Sequence, residues 1–283
     1  MAVVIAGCGD LGTEIGLRFA AIGHRVMGLR RSVEKLPHEI EGQSVDLSAQ
    51  VPTLPADTSI VVIAMSPDER SVVGYRAAYV ESVCCVAAAI QRDCAAPPRV
   101  LYVSSTAVYG VDDGSWVGAS TLAKPTAPTA VVLREAEQTL LELIPEAIIL
   151  RLAGIYGPGR TRQIDRIRDG IETISSKPRF TNLIHRDDAE AAVVHLTTQP
   201  GKPETIYIGV DDCPVDYREI VEFLARRLDL PVPSFAAESG RAEGIRGKRC
   251  HNTQLRASGF DFSYPTYREG YEAVFAGIGV RHP

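Results

Sequence analysis

Residues 3–32 read VVIAGCGDLGTEIGLRFAAIGHRVMGLRRS. The β-branched run at 3–6 ends in Gly7-x-Gly9-x-x-Gly12. The apolar spacing then takes a helical period over 11–22, and a second apolar run follows at 25–29. A strand that turns tightly into a helix needs glycine three times: Gly7 for the turn, Gly9 so that a pyrophosphate can approach the backbone, and Gly12 so that the helix packs close to the sheet. The free N–H groups at the helix start make an anion site. These residues therefore predict the opening of a parallel α/β sheet and a dinucleotide site, with Gly7, Gly9, Asp10, Leu11 and Gly12 around the phosphates.

The second run ends Arg30-Arg31-Ser32, where an NAD site would place an acid for the ribose 2′-hydroxyl. Two guanidiniums and a hydroxyl suit a 2′-phosphate, so NADP(H) is favoured over NAD(H). The plain alternative is a solvated basic loop. Asp46 and Leu47, closing the next strand, are expected beside the adenine, and Ala64 and Met65, closing the fourth, beside the middle of the cofactor.

Further along, apolar runs at 44–46, 59–64, 99–103 and 147–152 alternate with helical spacing at 75–93 and 131–144. Near-continuous apolar strands separated by helices predict a Rossmann-type, doubly wound parallel sheet. After residue 155 the pattern loosens around GIYGPGRTRQIDRIRDG. A helix is expected at 188–198, a strand at 205–208 and a helix at 217–228. The expected organisation is a dinucleotide-binding domain over 1–155, to which 183–210 return. A smaller C-terminal substrate lobe is built from 156–182 and 211–283.

Composition bounds the function. The net charge of −5, from 30 basic and 35 acidic residues, argues against nucleic acid or an anionic membrane as partner. No apolar run reaches the roughly 18 residues of a membrane span. VIAGC ending at Cys8 resembles a lipoprotein cleavage site, but the residues before it hold no basic group and no apolar signal core. The six cysteines show no metal-ligand spacing, so no metal is expected, and Cys84 and Cys85 are read as small buried residues. Reduced cysteines without a signal predict a cytoplasmic protein.

Residues 99–110 read RVLYVSSTAVYG, an apolar run ending in Ser104, Ser105 and Thr106, with Tyr109 four residues after Ser105. Together with GCGDLG, LRLAGIYGPGR, NLIHRDDAEAAV and YPTYREGYEAV, in that order over nearly the whole chain, this segment resembles the extended short-chain dehydrogenase/reductases, the NAD-dependent epimerase/dehydratase family. The resemblance implies that Ser105 is the catalytic hydroxyl that bonds the substrate oxygen. It also implies that Ser104, Gly154 and Tyr156 lie along the cofactor. Thr106 and Ala107 stand where the dehydratases carry Asp and Glu, so the dehydratase acid/base pair is missing. Aligning Pro125 and Glu137 with the family's flanking Pro and Glu puts Thr129 and Leu133 at the positions of its Tyr-x-x-x-Lys pair. Neither can replace the lysine-assisted phenol, which marks an atypical member.

Candidates for the missing proton donor are Tyr109, Lys124, Tyr156 and His185, each with a structural alternative as packing, solvated or capping residue. Thr106, Asn182 and His185 are expected near the substrate, and Asp187 or Asp188 as a helix N-cap. Arg160, Arg162, Arg241, Arg246, Lys248 and Arg249 fall mostly in the smaller lobe, as binders of an anionic substrate or as ordinary surface charge. The small residues of 75–93 suit either a homodimer contact or the core. The expected activity is NADPH-dependent hydride transfer to a small carbonyl, imine or sugar-like molecule, with Ser105 and Tyr109 as its catalytic residues. The alternatives are an epimerase and a non-catalytic NADP(H) sensor.

Overall fold

A computed structural model describes residues 1–234 and 244–282; Arg241 lies outside them. Seven strands form one sheet: β1 (Ala2–Ala6), β2 (Arg25–Arg30), β3 (Ile40–Ser44), β4 (Thr58–Ile63), β5 (Arg99–Ser105), β6 (Ile148–Leu152) and β7 (Ile206–Gly209). Their spatial order is β3-β2-β1-β4-β5-β6-β7, and every neighbouring pair is parallel. The chain reverses its direction of travel between β1 and β4, so a crevice opens beyond their carboxyl ends, at the glycine turn.

Both faces of the sheet are covered. On β1, Val3 and Ile5 join one core with Ile15 and Phe19 of α1 (Asp10–Ala21) and with Ala189 and Val193 of a helix at Arg186–Thr198. Val4 and Ala6 face the other core, against α2 (Val72–Asp93) and α3 (Pro128–Leu143). We number the later helices α4 (Arg186–Thr198), α5 (Tyr217–Arg227) and α6 (Tyr267–Phe275). Helix α2 holds a π-helical turn at Arg76–Glu81. It is 22 residues long, and its composition alone would allow it to cross a membrane. Here Val80, Val83, Val86 and Ile90 pack it onto the sheet.

Three expectations shift. The third strand runs Ile40–Ser44 rather than 44–46. It is an edge strand with largely exposed side chains, so its apolar signal is weak. Cys84 is exposed and Cys85 half-buried, on the side of α2 turned away from the core. Leu255, Phe260 and Phe262, grouped by sequence with the smaller lobe, pack into the α1/α4 core. The smaller lobe has its own core, in which Tyr156, Ile164 and Ile167 meet Ile220, Leu224, Tyr267 and Tyr271.

Candidate active site

The crevice is a cleft of about 870 Å³ running from the glycine turn to the end of β5. Its geometry suits a dinucleotide. Gly7 has φ +86°, and a Cβ there would lie 2.6 Å from the Ala64 carbonyl oxygen. At Gly9 a Cβ would meet no atom within 4 Å, so that side of the turn opens into the cleft. Gly9 is the N-cap of α1, and no side chain caps the helix. The N–H groups of its first turn thus face the space a pyrophosphate needs. Gly12, behind them, seats the helix against Ile5 and Gly7.

Asp10, Leu11, Arg30, Arg31, Ser32, Asp46, Leu47, Ala64, Met65, Ser104 and Ser105 all line the cleft. At the rim, Arg31 pairs with Asp68 at 2.7 Å, and both are largely exposed. Ser44 Oγ donates to the Arg31 carbonyl at 2.9 Å and fixes the bend after β2. Bonds from the Ser48 hydroxyl and N–H hold the Asp46 carboxyl below its usual range, so it stays ionised beside the arginines.

The two serines at the end of β5 have different partners. Ser104 Oγ is buried and donates to Glu137 Oε1 at 2.6 Å. Ser105 Oγ accepts from the Ala107 N–H at 3.2 Å, which leaves its own proton for a molecule in the cleft. Behind Ser104 lies a buried network. Arg151 donates to Glu137 through Nε (2.9 Å) and Nη2 (2.7 Å), and through Nη1 to the Tyr109 hydroxyl (2.7 Å). Tyr109 in turn donates to the Gly118 carbonyl at 2.9 Å. Arg134 adds a fourth bond to the Glu137 carboxylate at 2.9 Å.

This network removes Tyr109 as a proton donor: its hydroxyl is buried, engaged on both sides and outside the cleft. Its proton is held more tightly than usual, because burial outweighs the opposing Arg151 charge. Tyr156 packs in the smaller lobe against Tyr271, and its neighbours Ala153 and Ile155 line the cleft instead of Tyr156 and Gly154. Thr106 is buried at the start of a 3₁₀ turn.

Asn182 pins residues 248–250, donating to the Lys248 carbonyl (2.9 Å) and accepting from the Cys250 N–H (2.7 Å). His185, rather than Asp187 or Asp188, caps α4: its Nδ1 accepts from the Asp187 N–H at 3.2 Å. Burial pushes its pKa down to about 4, so the ring stays neutral. Asp188 accepts from the Ser263 and Tyr264 N–H groups. Lys124 is exposed in the loop before α3 and does not line the cleft.

The basic residues of the lobe divide. Arg160 reaches the cleft, where it meets Asp10 at 2.9 Å. Arg246 is paired with Asp112, and Arg249 stacks on Phe180 and donates to the Gly114 carbonyl. Arg246 also lines a second depression of about 510 Å³ with Lys177 and Arg179.

Sequence reasoning missed several cleft residues, among them Tyr79 and Arg281. Tyr79, on the π-helical turn of α2, is the phenol that lines the cleft with Ser105 and Leu133. It is half-buried, and burial pushes its pKa up to about 12. π-Turns recur at functional sites because they shift one helical turn out of register, and such a shift has no sequence pattern. Arg281 reaches the cleft from 122 residues beyond Gly159, whose carbonyl it bonds.

No family model and no curated protein matched the chain. Solved structures did. A Methylobacillus flagellatus protein assigned to the NAD-dependent epimerases/dehydratases is 32% identical, with 98% of each chain covered and a TM-score of 0.79. UDP-glucuronic acid 4-epimerase from Bacillus cereus, in complex with NAD, is 13% identical over 96% of this chain and 97% of that one, with a TM-score of 0.79. A human epimerase family protein with NADPH is 16% identical over 98% of this chain and 100% of that one, with a TM-score of 0.80. The last two show the fold alone.

Proposed function

The chain belongs to the NAD-dependent epimerase/dehydratase family, and from that premise we propose that it is an NADPH-preferring oxidoreductase that reduces a small carbonyl, imine or sugar-like substrate. The observation that carries this reading is the position of Ser105. It lines the same cleft as Gly9 and the uncapped start of α1, with its hydroxyl proton uncommitted. The glycine turn and α1 would hold the pyrophosphate, and Arg30, Arg31 and Ser32 the 2′-phosphate. The nicotinamide would supply the hydride.

The remaining chemistry belongs to the chain's own residues. Ser105 Oγ–H donates to the substrate oxygen or nitrogen and fixes it for reduction. Tyr79 delivers the proton as negative charge grows on that atom, and solvent reprotonates the phenolate. With its pKa up at about 12, Tyr79 stays protonated through neutral pH but is a weak acid, so it gives up its proton only as charge develops on the substrate atom. Leu133 closes the cleft where the family's lysine would stand, so nothing there assists ionisation of a phenol. That asymmetry favours reduction over epimerisation, which needs the same group to act as a base.

The test is NADPH oxidation over a panel of carbonyls and imines. Ser105→Ala is expected to lower kcat about 10²–10³-fold, the effect of losing one donor to a developing oxyanion. Tyr79→Phe is expected to lower it about 10²–10⁴-fold, the usual share of general acid catalysis. If NADPH binds while no substrate is consumed and neither variant differs from wild type, the protein is a cofactor sensor and the enzyme reading fails.

A further inference from the structure

Residues 279–282 are docked at several points beside the cleft, and Arg281 lines it. Gly279 has φ +94°, and a Cβ there would lie 2.6 Å from the Pro158 ring. Arg281 Nη1 donates to the Gly159 carbonyl at 2.9 Å. The His282 N–H and Nδ1 meet Glu14 Oε1 of α1 at 3.1 and 2.7 Å. The segment thus bridges the 157–160 loop and the first turns of α1, beside the glycine turn.

Two guanidiniums converge at that point. Arg281 Nε stands 3.4 Å from Asp10 Oδ1, and Arg160 Nη2 stands 2.9 Å from Asp10 Oδ2. Both arginines line the cleft with Asp10, the first residue of α1. Two positive charges on one carboxylate leave one in excess, next to a helix start that no side chain caps. Arg160 Nε is shielded from solvent and has no acceptor among the described residues. A shielded, unbonded donor is unfavourable unless something completes it.

We propose that residues 279–282 are a strap over the dinucleotide, with Arg281 and Arg160 holding its pyrophosphate against the start of α1 from the solvent side. This rests on the dinucleotide reading of the cleft. The Asp10 carboxylate holds the two guanidiniums in place, and the pyrophosphate, carrying two negative charges, offers each a stronger partner. The helix N–H groups would bond the inner phosphate oxygens and the arginines the outer ones, so the ligand would be gripped from both sides. Arg281 would be specific to the pyrophosphate and indifferent to the nicotinamide and the 2′-phosphate.

The experiment is calorimetric titration of the full chain and of Arg281→Ala with NADP⁺, ADP-ribose and 2′-AMP. ADP-ribose has the pyrophosphate without the nicotinamide or the 2′-phosphate; 2′-AMP has the 2′-phosphate without the pyrophosphate. Arg281 is half-exposed, and the melting temperature of the variant checks that it folds. The expected result is a loss of about 10-fold or more for NADP⁺ and for ADP-ribose alike, the size of one charge-assisted hydrogen bond, with 2′-AMP within about 3-fold of wild type. In parallel, amide exchange over 278–282 is expected to slow when NADP⁺ is added. Equal losses for all three ligands, no loss for ADP-ribose, or unchanged exchange would overturn the strap. If the wild-type chain binds neither NADP⁺ nor ADP-ribose, the dinucleotide reading itself falls, and the strap with it.

Discussion

Glu137→Gln is the substitution that tests most directly how the site is built. Glu137 and Arg151 are both fully buried, and Glu137 accepts four bonds: from Ser104, twice from Arg151 and from Arg134. Burial works against the Arg151 charge, yet Glu137 and the Tyr109 hydroxyl hold its pKa above the usual arginine range. Glutamine keeps the shape but removes the negative charge, and it turns one acceptor into a donor facing a guanidinium. Stranding one member of a buried ion pair costs about 3–5 kcal/mol. With an unfolding entropy of about 2.1 cal/mol/K per residue, the 283 residues give about 0.6 kcal/mol/K, so the melting temperature should drop by about 5–8 °C. Scanning calorimetry measures this. The double variant Glu137→Met with Arg151→Met replaces the pair by apolar groups. It should lose less than the two single changes together, with a coupling of about 1–3 kcal/mol. A drop below 2 °C for Glu137→Gln, or strict additivity in the double variant, would refute the claim that these charges depend on each other.

Other expectations follow from the cleft and from the buried acids. Arg30→Ala with Arg31→Ala should weaken NADPH by about 10-fold or more per arginine while leaving NADH nearly unchanged; equal losses in titration would refute the 2′-phosphate assignment. Gly9→Val should leave the melting temperature almost unchanged, because its Cβ enters open space, yet abolish dinucleotide binding. Gly7→Ala should instead cost at least about 1–2 kcal/mol of stability, since its φ of +86° disfavours any side chain. Wild-type stability after Gly7→Ala, or dinucleotide binding retained after Gly9→Val, would contradict the geometry. Burial, with Asp212, Glu269 and Asp188 nearby, pushes the Asp211 carboxyl up to about 8. Between about pH 4 and 8 the folded chain thus holds a proton that the unfolded chain has lost, and this contribution to stability fades as pH rises. Asparagine mimics the protonated acid and can still accept the Cys213 N–H, so Asp211→Asn should gain on wild type from about pH 5 to 8 and level off above that. The opposite slope from neutral His185, between about pH 4 and 6.5, is common to both proteins and cancels. A melting-temperature difference that stays flat over that range would refute the assignment.

What the sequence revealed and what it hid divide along a physical line. The glycine turn, the parallel order and the cleft residues next to strand ends were legible because they follow from local backbone geometry: a strand that turns into a helix at Gly7-x-Gly9 leaves few alternatives. Side-chain direction was not legible. Tyr109, Tyr156, Asn182 and His185 are all polar and all sit in segments that resemble the family's site, yet none lines the cleft, and each is turned inward against backbone or a buried neighbour. Residue type shows that a group can bond, not which partner the fold offers it. Tyr79 and Arg281 show the converse: one is placed by a π-turn within an apolar helix and the other by a contact across 122 residues, and neither leaves a local pattern.

The inward-facing residues also explain how Ser105 keeps its position without the family's Tyr–Lys pair. The bracing lies one layer below the cleft. Glu137 ties Ser104 to Arg151, Arg151 ties both to Tyr109, and Tyr109 ties the loop after β5 to Gly118. Ser105 therefore stands between a pinned neighbour and a pinned loop, and it needs no partner of its own on α3. If that is what holds it, Glu137→Gln should lower kcat far more than it weakens NADPH, whose proposed phosphate contacts at the glycine turn and Arg30–Ser32 lie at the other end of the cleft.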